Sequence, residues 1–464
     1  MNVADIWILI PILIPAAGAL LALLLGAIFP GRTAVQVSVA ALVATALWSM
    51  QVPPQAASPQ LGLVATPLAR LFSAIFSLLG AGALLLSVPY NEARGLRGEE
   101  YPATILFAVF GMVTLASAGN LLVLFLGLEA MTFAFYILVA MDLGRESSAE
   151  AGLKYLLPGA LSAAFIAFAI SLFYAAGGSL DPAVAFARGG SSPLMLAGWG
   201  LLLAGMAFKM SLVPAHLWTP DVYQGAPTPV AAILSGCSKG AAILALIILL
   251  PMASKGGALA GPLGVLALLS MVVGNLAALL QSRVKRMLAY SSVGQMGYVA
   301  LALCSGVSGG YRAAAYYAVA YGIISLAAFG ALAAMERPGR GELLDELGGA
   351  GRSRPMAASV LALALFALAG IPPTAGFTGK FLIFAAAIRG GELTLAVIGI
   401  LCAAVSAFYY LRVVVVLFMR EPTGEEFPSL NPAVSIVLAI ASAGILILGL
   451  FPSKLLALFA GALP

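Results

Sequence analysis

The sequence predicts an all-α integral membrane protein with about fourteen transmembrane helices. Of its 464 residues, 62% are hydrophobic and only 9% are charged, which excludes an ordinary water-soluble domain. Apolar runs of roughly 20 residues recur along the whole chain, and an α-helix needs that length to cross a hydrocarbon core of roughly 30 Å. The runs are continuous rather than alternating, which argues against a transmembrane β-barrel.

The apolar runs give the expected spans in chain order. The first run is interpreted as a membrane span rather than a cleaved signal peptide, because it is too long for an h-region and no basic residue precedes it. The stretch 336–355 is expected to be a solvated connector. The predicted spans cover residues 5–29, 34–50, 68–90, 101–118, 120–141, 150–176, 193–222, 228–252, 261–281, 286–305, 311–336, 355–389, 393–419 and 432–451.

Basic residues are divided unequally between the two sets of loops. The loops that follow odd-numbered spans carry more Lys and Arg than the others. Because short cytoplasmic loops collect Lys and Arg, these odd-numbered loops are expected in the cytoplasm of a bacterial cell, and both termini on the periplasmic side of its inner membrane. This bias explains the net charge of +5 better than nucleic-acid binding does. The odd-numbered loops carry Arg32, Arg94, Arg97, Arg145, Arg283, Lys285, Arg286, Arg337, Arg340, Arg352, Arg354 and Arg420, against Arg70, Arg188, Lys255, Arg312, Arg389 and Lys454 elsewhere.

A few charged residues lie inside the predicted spans. They are Glu129, Lys154, Lys209, Lys239, Lys380 and Arg412. An unpaired charge at the centre of a bilayer costs about 2.5–3.5 kcal/mol, so these side chains need partners or a function. Arg412 lies near the cytoplasmic end of its span and fits snorkelling, while for Lys154 snorkelling and a buried role both stay open. The other four lie deeper and predict a buried polar pathway.

Lysine suits proton transfer along such a pathway. Making or breaking an ion pair with a carboxylate moves a buried amine between its charged and neutral forms. At an effective dielectric constant of about 20, two unit charges about 4 Å apart interact by roughly 4 kcal/mol, compared with about 2.3 kcal/mol for moving a proton against 100 mV. Lysines on neighbouring helices, linked by water and by Ser211, Ser238 and Gln295, are therefore expected to form a lateral relay.

Two proline-containing segments interrupt spans beside a buried lysine. "FKMSLVPAHLWTPDVYQGAPTP" places Pro214 five residues after Lys209, and "GIPPTAGFTGKFLIF" places Pro372 and Pro373 seven to eight residues before Lys380. Proline interrupts the helical hydrogen-bond ladder, and broken helices at membrane depth are typical of transport sites.

The two broken spans are the seventh and the twelfth, so they cross the membrane in opposite directions. This predicts an inverted repeat of helices 4–8 and 9–13. The chain is then one polytopic domain, with the first three helices in residues 1–100, the two repeats in 101–252 and 261–420, and the last helix with its tail in 432–464.

His216, the only histidine of the chain, follows the first break. Its imidazole can carry protons between the cytoplasmic surface and Lys209. Alternatively, it can hydrogen-bond backbone freed by the break, while Asp221 and Tyr223 fix the following turn. Both interpretations stay open.

The sequence predicts no cofactor-binding or metal-binding residue in this chain. The three cysteines, at positions 237, 304 and 402, are isolated in apolar stretches without the spacing of a zinc or iron–sulfur site. There is also no GxGxxG motif after a strand.

Five segments of the chain form a set that recurs in a known family. They are "FLGLEAMTFAFYIL", "AGLKYLLPGALSAA", "FKMSLVPAHLWTPDVYQGAPTPVAAILSGCSKGAA", "VKRMLAYSSVGQMGYVALAL" and "LALFALAGIPPTAGFTGKFLIF". In order and spacing they cover most of residues 101–420. They resemble the antiporter-like membrane subunits of respiratory complex I, the proton-pumping NADH:quinone oxidoreductase. The spelling "HLWTPDVYQGAPTPV" favours one branch of this family over two others that typically show "HTWLPDAHxxAPT".

The resemblance implies roles for the buried charges. Glu129 would pair with Lys209 on the broken seventh helix. Lys239 would be the central relay lysine, Lys380 the terminal one, and Lys154 a modulating lysine near the Glu129 pair.

The resemblance also implies a function and partners. The chain would translocate protons beside other membrane subunits in the lipid bilayer, while partner subunits hold FMN and iron–sulfur clusters, oxidise NADH and reduce quinone. Gln295 departs from the family pattern, because many relatives have His there and a glutamine orients water without holding a proton. Two alternatives stay open: a subunit of an Mrp-type cation/proton antiporter or membrane-bound hydrogenase, and a structural subunit whose charges only hold helices together.

Overall fold

The structure is a computed structural model that describes residues 3–96, 98–253, 257–337, 341–421 and 430–461. Twelve helices of these ranges are long and apolar enough to cross a membrane. Two shorter apolar helices, Glu100–Ala116 and Pro355–Ala369, occupy the positions of the predicted fourth and twelfth spans. The described part of the chain therefore contains the fourteen predicted crossings, and the all-α fold is confirmed.

The crossings are numbered here in chain order. They are α1 Val3–Ile28, α2 Thr33–Gln51, α3 Pro67–Arg94, α4 Glu100–Ala116, α5 Leu121–Val139, α6 Glu146–Gly177, α7a Pro193–Met210, α7b Trp218–Gly225, α8 Thr228–Met252, α9 Gly257–Leu279, α10 Val284–Cys304, α11 Ser308–Met335, α12a Pro355–Ala369, α12b Ala375–Arg389, α13 Leu393–Met419 and α14 Pro432–Leu450.

The connections hold short elements that periodicity did not predict. A pair of two-residue antiparallel strands, Ala57–Ser58 and Leu63–Val64, follows α2, and short helices cover Pro182–Gly189 and Pro452–Ala460. The described residues of the stretch 336–355 are not simply solvated, because they form helical turns and several of their side chains are buried. Three residues of the loop-charge comparison, Arg97, Lys255 and Arg340, lie outside the described ranges.

The helices α8, α10 and α11 form the centre of the molecule. Within an apolar stretch of 18 residues in each of these helices, 94, 94 and 89% of the residues are buried, respectively. In the corresponding stretch of α6 or α13, only 33% are buried. The outer helices expose large apolar side chains such as Leu157 and Phe168 of α6, as lipid-facing helices do. The central helices are therefore the ones insulated from lipid on all sides.

The first break separates α7a from α7b. Ser211 takes the left-handed conformation (φ 61°) that ends α7a. The freed backbone finds side-chain partners: Val213 N donates to Ser270 Oγ of α9 at 2.9 Å, and Phe208 O accepts from Trp218 Nε1 at 3.1 Å. Such partners make a helix break at membrane depth stable.

The second break separates α12a from α12b. Gly370 takes a left-handed conformation (φ 89°), which glycine adopts without steric cost. Thr374 Oγ1 accepts from Phe377 N at 3.5 Å and so caps α12b. Proline therefore interrupts both spans, as the sequence predicts, and each interrupted helix ends on a left-handed residue.

Candidate functional site

A buried ion pair joins α5 to the end of α7a. Lys209 Nζ lies 2.9 Å from Glu129 Oε1 and donates to Thr132 Oγ1 at 2.6 Å. Glu129 and Thr132 are three residues apart, so they share one face of α5. The Lys209 and Glu129 side chains are only 1% and 9% exposed. The two residues that the resemblance pairs are thus brought into direct contact.

Lys239 lies at the centre of the molecule, on α8 directly after the π-helical turn Leu234–Ser238. Its Nζ donates to Ser292 Oγ of α10 and lies 5.3 Å from the centre of the Tyr223 ring of α7b. Tyr321 OH of α11 donates to the same Ser292 oxygen at 2.6 Å. No carboxylate forms an ion pair with Lys239 within the described ranges. Hydroxyls and an aromatic face therefore surround this amine.

Lys380 fills the second break. Its Nζ donates to the carbonyl oxygens of Leu368 at 2.5 Å and Ala369 at 3.3 Å, both at the end of α12a. It also lies 4.9 Å from the centre of the Tyr298 ring of α10. The amine thus satisfies backbone that the break would otherwise leave unpaired.

Side chains of α10 and α11 lead from the Lys239 surroundings to Lys380. Tyr321 and Tyr317 lie one turn apart on α11, with ring centres separated by 6.2 Å. Tyr317 OH donates to Gln295 Oε1 at 2.5 Å, and Gln295 Nε2 donates to Leu368 O at 3.0 Å. Because that carbonyl also accepts from Lys380, Gln295 links α11 to the second break.

The predicted linking residues fare differently. Gln295 joins Tyr317 to the Leu368 carbonyl that Lys380 also contacts, whereas Ser211 and Ser238 are not hydrogen-bond partners of the relay lysines in the part of the chain that is described. Sequence reasoning missed Ser292 and Tyr317. Helical spacing gives a weak signal for Ser292 alone, since Ser292 precedes Gln295 by three residues and therefore lies on the same face of α10.

Lys154 lies at the edge of the site. Its half-exposed side chain pairs with Glu150 at 2.6 Å and with Asp221 of α7b at 2.8 Å. Among the described residues, neither Glu129 nor Lys209 is its partner. Lys154 therefore contacts the second half of the broken helix rather than the ion pair.

Two further predicted residues lie near helix ends. His216 is buried, its ring centre lies 6.5 Å from that of Tyr290, and its Nδ1 has no hydrogen-bond partner among the described residues. Arg412 donates to Leu279 O at 3.3 Å and to Gln281 O, at the end of α9. Arg412 thus fits local pairing.

The described ranges contain no group of three or more His, Cys, Asp or Glu residues that could hold a metal ion. The chain contains a series of buried lysine amines, each on a different helix and each beside a hydroxyl, a carbonyl or a carboxylate. Ionisable residues inside a membrane bundle mark proton or ion pathways, and broken helices with buried charges recur in transporters. The fold and site therefore define a polytopic membrane protein of the antiporter-like type.

The comparisons with known proteins agree with this class. Residues 118–406 match the family model described as "NADH:quinone oxidoreductase/Mrp antiporter, TM". The NADH-quinone oxidoreductase subunit N of Geotalea uraniireducens (strain Rf4) is 58% identical and that of Geobacter metallireducens is also 58% identical; the matches cover 99% and 100%, respectively, of both chains. The chain belongs to the family of NADH-quinone oxidoreductase subunit N, so the resemblance seen in the sequence is confirmed.

Solved structures show the same fold. A chain of respiratory complex I from Thermus thermophilus with bound aureothin matches with a TM-score of 0.85 and 34% identity, covering 97% of this chain and 100% of that one. A chain of the Mrp complex from Dietzia sp. DQ12-45-1b matches with a TM-score of 0.86 at 21% identity, covering 100% and 97%. At that identity, the second match is a likeness of fold alone.

Proposed function

We propose that this chain translocates protons across the bacterial inner membrane as a subunit of a complex I-type NADH-quinone oxidoreductase. The observation that carries the proposal is the series of buried charges Glu129, Lys209, Lys239 and Lys380, in a chain 58% identical to subunit N proteins. The chain itself performs no redox chemistry in this proposal. Partner subunits hold FMN and iron–sulfur clusters, oxidise NADH and reduce quinone, and other membrane subunits adjoin this one in the bilayer.

The ion pair of Glu129 and Lys209 gates the pathway. While the pair is closed, the carboxylate stabilises the protonated amine. When the helices separate, Lys209 loses that stabilisation and releases its proton toward Lys239. At an effective dielectric constant of about 20, opening a pair whose charged atoms lie 2.9 Å apart changes the energy by roughly 6 kcal/mol, which exceeds the roughly 2.3 kcal/mol needed to move one charge against 100 mV.

Lys239 passes the proton laterally and Lys380 exchanges it with the outer side or with a neighbouring subunit. The hydroxyls of Ser292, Tyr321 and Tyr317 offer donors and acceptors along this segment. The Gln295 amide fixes the position of its neighbours without holding a proton. A change in these hydrogen bonds would therefore alter the rate of transfer between the two lysines.

Lys154 modulates the gate by holding α7b. Its ion pair with Asp221 joins α6 to the half-helix that follows the break. His216 keeps its two candidate roles, proton shuttle or structural support. Pumping measured with the His216→Gln variant separates the two roles, because glutamine retains hydrogen bonding but does not bind and release a proton at physiological pH. A wild-type rate would end the shuttle role.

The orientation and the repeat bounds belong to the same proposal. Both termini face the periplasm, and residues 101–252 and 261–420 form the two inverted repeats. The four helix ends that meet around Glu336 all belong to odd-numbered loops, which supports a consistent sidedness. Reporter fusions on the first and second loops would check the orientation.

Lys239→Ala tests the proposal in the assembled complex. We expect NADH-driven proton pumping in proteoliposomes to be strongly reduced, because the central amine is lost. Lys454→Ala is the matched control, since Lys454 is exposed on the short helix after α14. Full pumping by Lys239→Ala would refute the relay and favour a purely structural subunit.

Purification separates the enzyme proposal from the Mrp-type alternative, which the comparisons support at the level of fold. Co-elution of the chain with flavin and iron–sulfur subunits is the expected result. Sodium-dependent proton exchange by a complex without those centres would contradict it.

A further inference from the structure

A second set of buried charges lies at the ends of four helices, away from the relay lysines. Glu336 Oε1, directly after α11, accepts from Arg94 Nη2 of α3 at 3.1 Å, and Thr228 Oγ1 of α8 donates to its other oxygen. Lys285 Nζ of α10 lies 4.0 Å from Glu336 and donates to Thr228 Oγ1 at 3.2 Å and to Ala226 O at 3.1 Å. Arg94, Thr228, Lys285 and Glu336 are called the Glu336 cluster below.

These side chains are buried as deeply as the relay. Those of Arg94, Lys285 and Glu336 are 6, 2 and 2% exposed. A carboxylate in such a place is stable only when it is paired and hydrogen-bonded. Glu336 meets this condition with two cations and one hydroxyl from three other helices. The cluster thus holds the ends of α3, α8, α10 and α11 at fixed positions relative to one another.

The charged and titratable groups around Glu336 come from several elements. Tyr90 of α3 stacks under the Arg94 guanidinium at 3.7 Å. Arg145 and Glu342 lie farther out and form an ion pair at 2.5 Å. The cluster itself holds one carboxylate and two cations, so its single carboxylate cannot be removed without leaving like charges buried together.

Three of the four helices held by the cluster carry the surroundings of the central lysine. Lys239 lies on α8, Ser292 on α10 and Tyr321 on α11. Counted along the helix axes, these residues lie about 16, 10 and 22 Å from the cluster member on the same helix. Close-packed, buried helices transmit a displacement at one end to the other. The hydrogen bonds at Ser292 therefore depend on how the cluster sets the three helix ends.

We propose that Glu336 is a positioning residue for Lys239. It fixes the positions of α8, α10 and α11 along their axes relative to one another, and thereby the hydrogen bonds that Ser292 accepts from Lys239 and Tyr321. This inference rests on the proposed function, since it assigns how the relay site is held. It adds a residue that lies outside the relay and, in the sequence, resembles an ordinary loop charge.

The test is Glu336→Asp in the assembled complex. Aspartate keeps the charge, but its side chain is one methylene shorter, so the cluster closes only if helix ends move. We expect proton pumping per assembled complex to fall about tenfold, because small misplacements of reacting groups cost large factors in rate. We also expect the pH profile of pumping to shift, since the surroundings of Lys239 change. NADH oxidation with an artificial acceptor should be unchanged.

Glu92→Asp is the matched control. Glu92 also lies at the end of α3, but its ion pair with Arg32 is exposed, with side chains 42 and 63% accessible. The control should behave as wild type. Pumping by Glu336→Asp that keeps the wild-type level, or that falls equally at all pH values, would overturn the positioning role. If Glu336→Asp does not assemble, Arg94→Lys, which also retains the charge, takes its place with the same two outcomes.

Lys239→Ala measured in parallel separates the two proposals. Full pumping by Lys239→Ala would refute the proposed function itself. Loss of pumping by Lys239→Ala together with an unshifted profile for Glu336→Asp would refute the positioning role alone.

Discussion

The ion pair between Glu129 and Lys209 gives the most quantitative prediction. Its charged atoms are 2.9 Å apart and both side chains are buried. At an effective dielectric constant of about 20, the Coulomb energy at this distance is roughly 6 kcal/mol, part of which offsets desolvation of the two groups. Removing one partner of a buried pair typically costs about 3–5 kcal/mol, because the other charge is left uncompensated.

A double-mutant cycle measures the coupling between the two side chains. We expect Glu129→Gln and Lys209→Met each to reduce pumping strongly, and the double variant to be far less impaired than the product of the two effects. A coupling of about 3 kcal/mol corresponds to a discrepancy of roughly 150-fold. The smaller perturbation Thr132→Val, which removes only a hydroxyl partner of Lys209, is expected to act more weakly.

The assay is initial proton uptake by proteoliposomes that contain the purified complex, normalised to the amount of assembled enzyme. NADH oxidation with an artificial acceptor serves as the control for assembly. If the effects of Glu129→Gln and Lys209→Met simply multiply, the two residues act independently and the gating role is refuted.

Three further predictions concern other parts of the chain. Gln295→Leu should slow pumping several-fold without loss of assembly, because it removes the link from Tyr317 to the second break; a wild-type rate would show that the link is not used. Lys154→Ala should change pumping by no more than about twofold, since half-exposed ion pairs contribute little. Burial raises the pKa of the Glu342 carboxyl, but the charges of Lys285 and two arginines outweigh it and bring that pKa below its usual value. The charged Glu342 carboxylate therefore stabilises the fold fully above the pKa that this residue has in the unfolded chain, about 4.3. The stabilisation is lost as the pH falls through the lower pKa of the folded chain. Glu342→Gln should lower thermal stability at neutral pH and have a diminishing effect in strong acid.

Run length and proline predict most of the fold. Fourteen apolar runs give fourteen crossings, because every lipid-exposed backbone group must be satisfied within a helix. The breaks follow from Pro214, Pro372 and Pro373. The helix bounds within the broken spans were missed, since the end of α7a is set by the left-handed Ser211 and by tertiary hydrogen bonds such as that from Val213 to Ser270.

Charge in an apolar run predicts part of the site. Glu129, Lys209, Lys239 and Lys380 stand out because a charge inside a membrane span is rare. A hydroxyl such as that of Ser292 gives no comparable signal, since serine and tyrosine are common in buried helices.

The Glu336 cluster was missed for a different reason. Arg94, Lys285 and Glu336 lie at helix ends, where charges are usually solvated, and only the packing of four helices buries them. The prediction of a solvated connector at 336–355 is wrong for its described residues for the same reason: tertiary contacts cover side chains that local composition leaves exposed.

The central claim is that the buried charges of this chain carry protons. The most direct measurement is the number of protons pumped per NADH oxidised in proteoliposomes, with Lys209, Lys239 and Lys380 each replaced by alanine in turn. The account predicts a lower ratio for each variant at unchanged assembly, and a wild-type ratio for Lys454→Ala. A wild-type ratio in all three relay variants would contradict it.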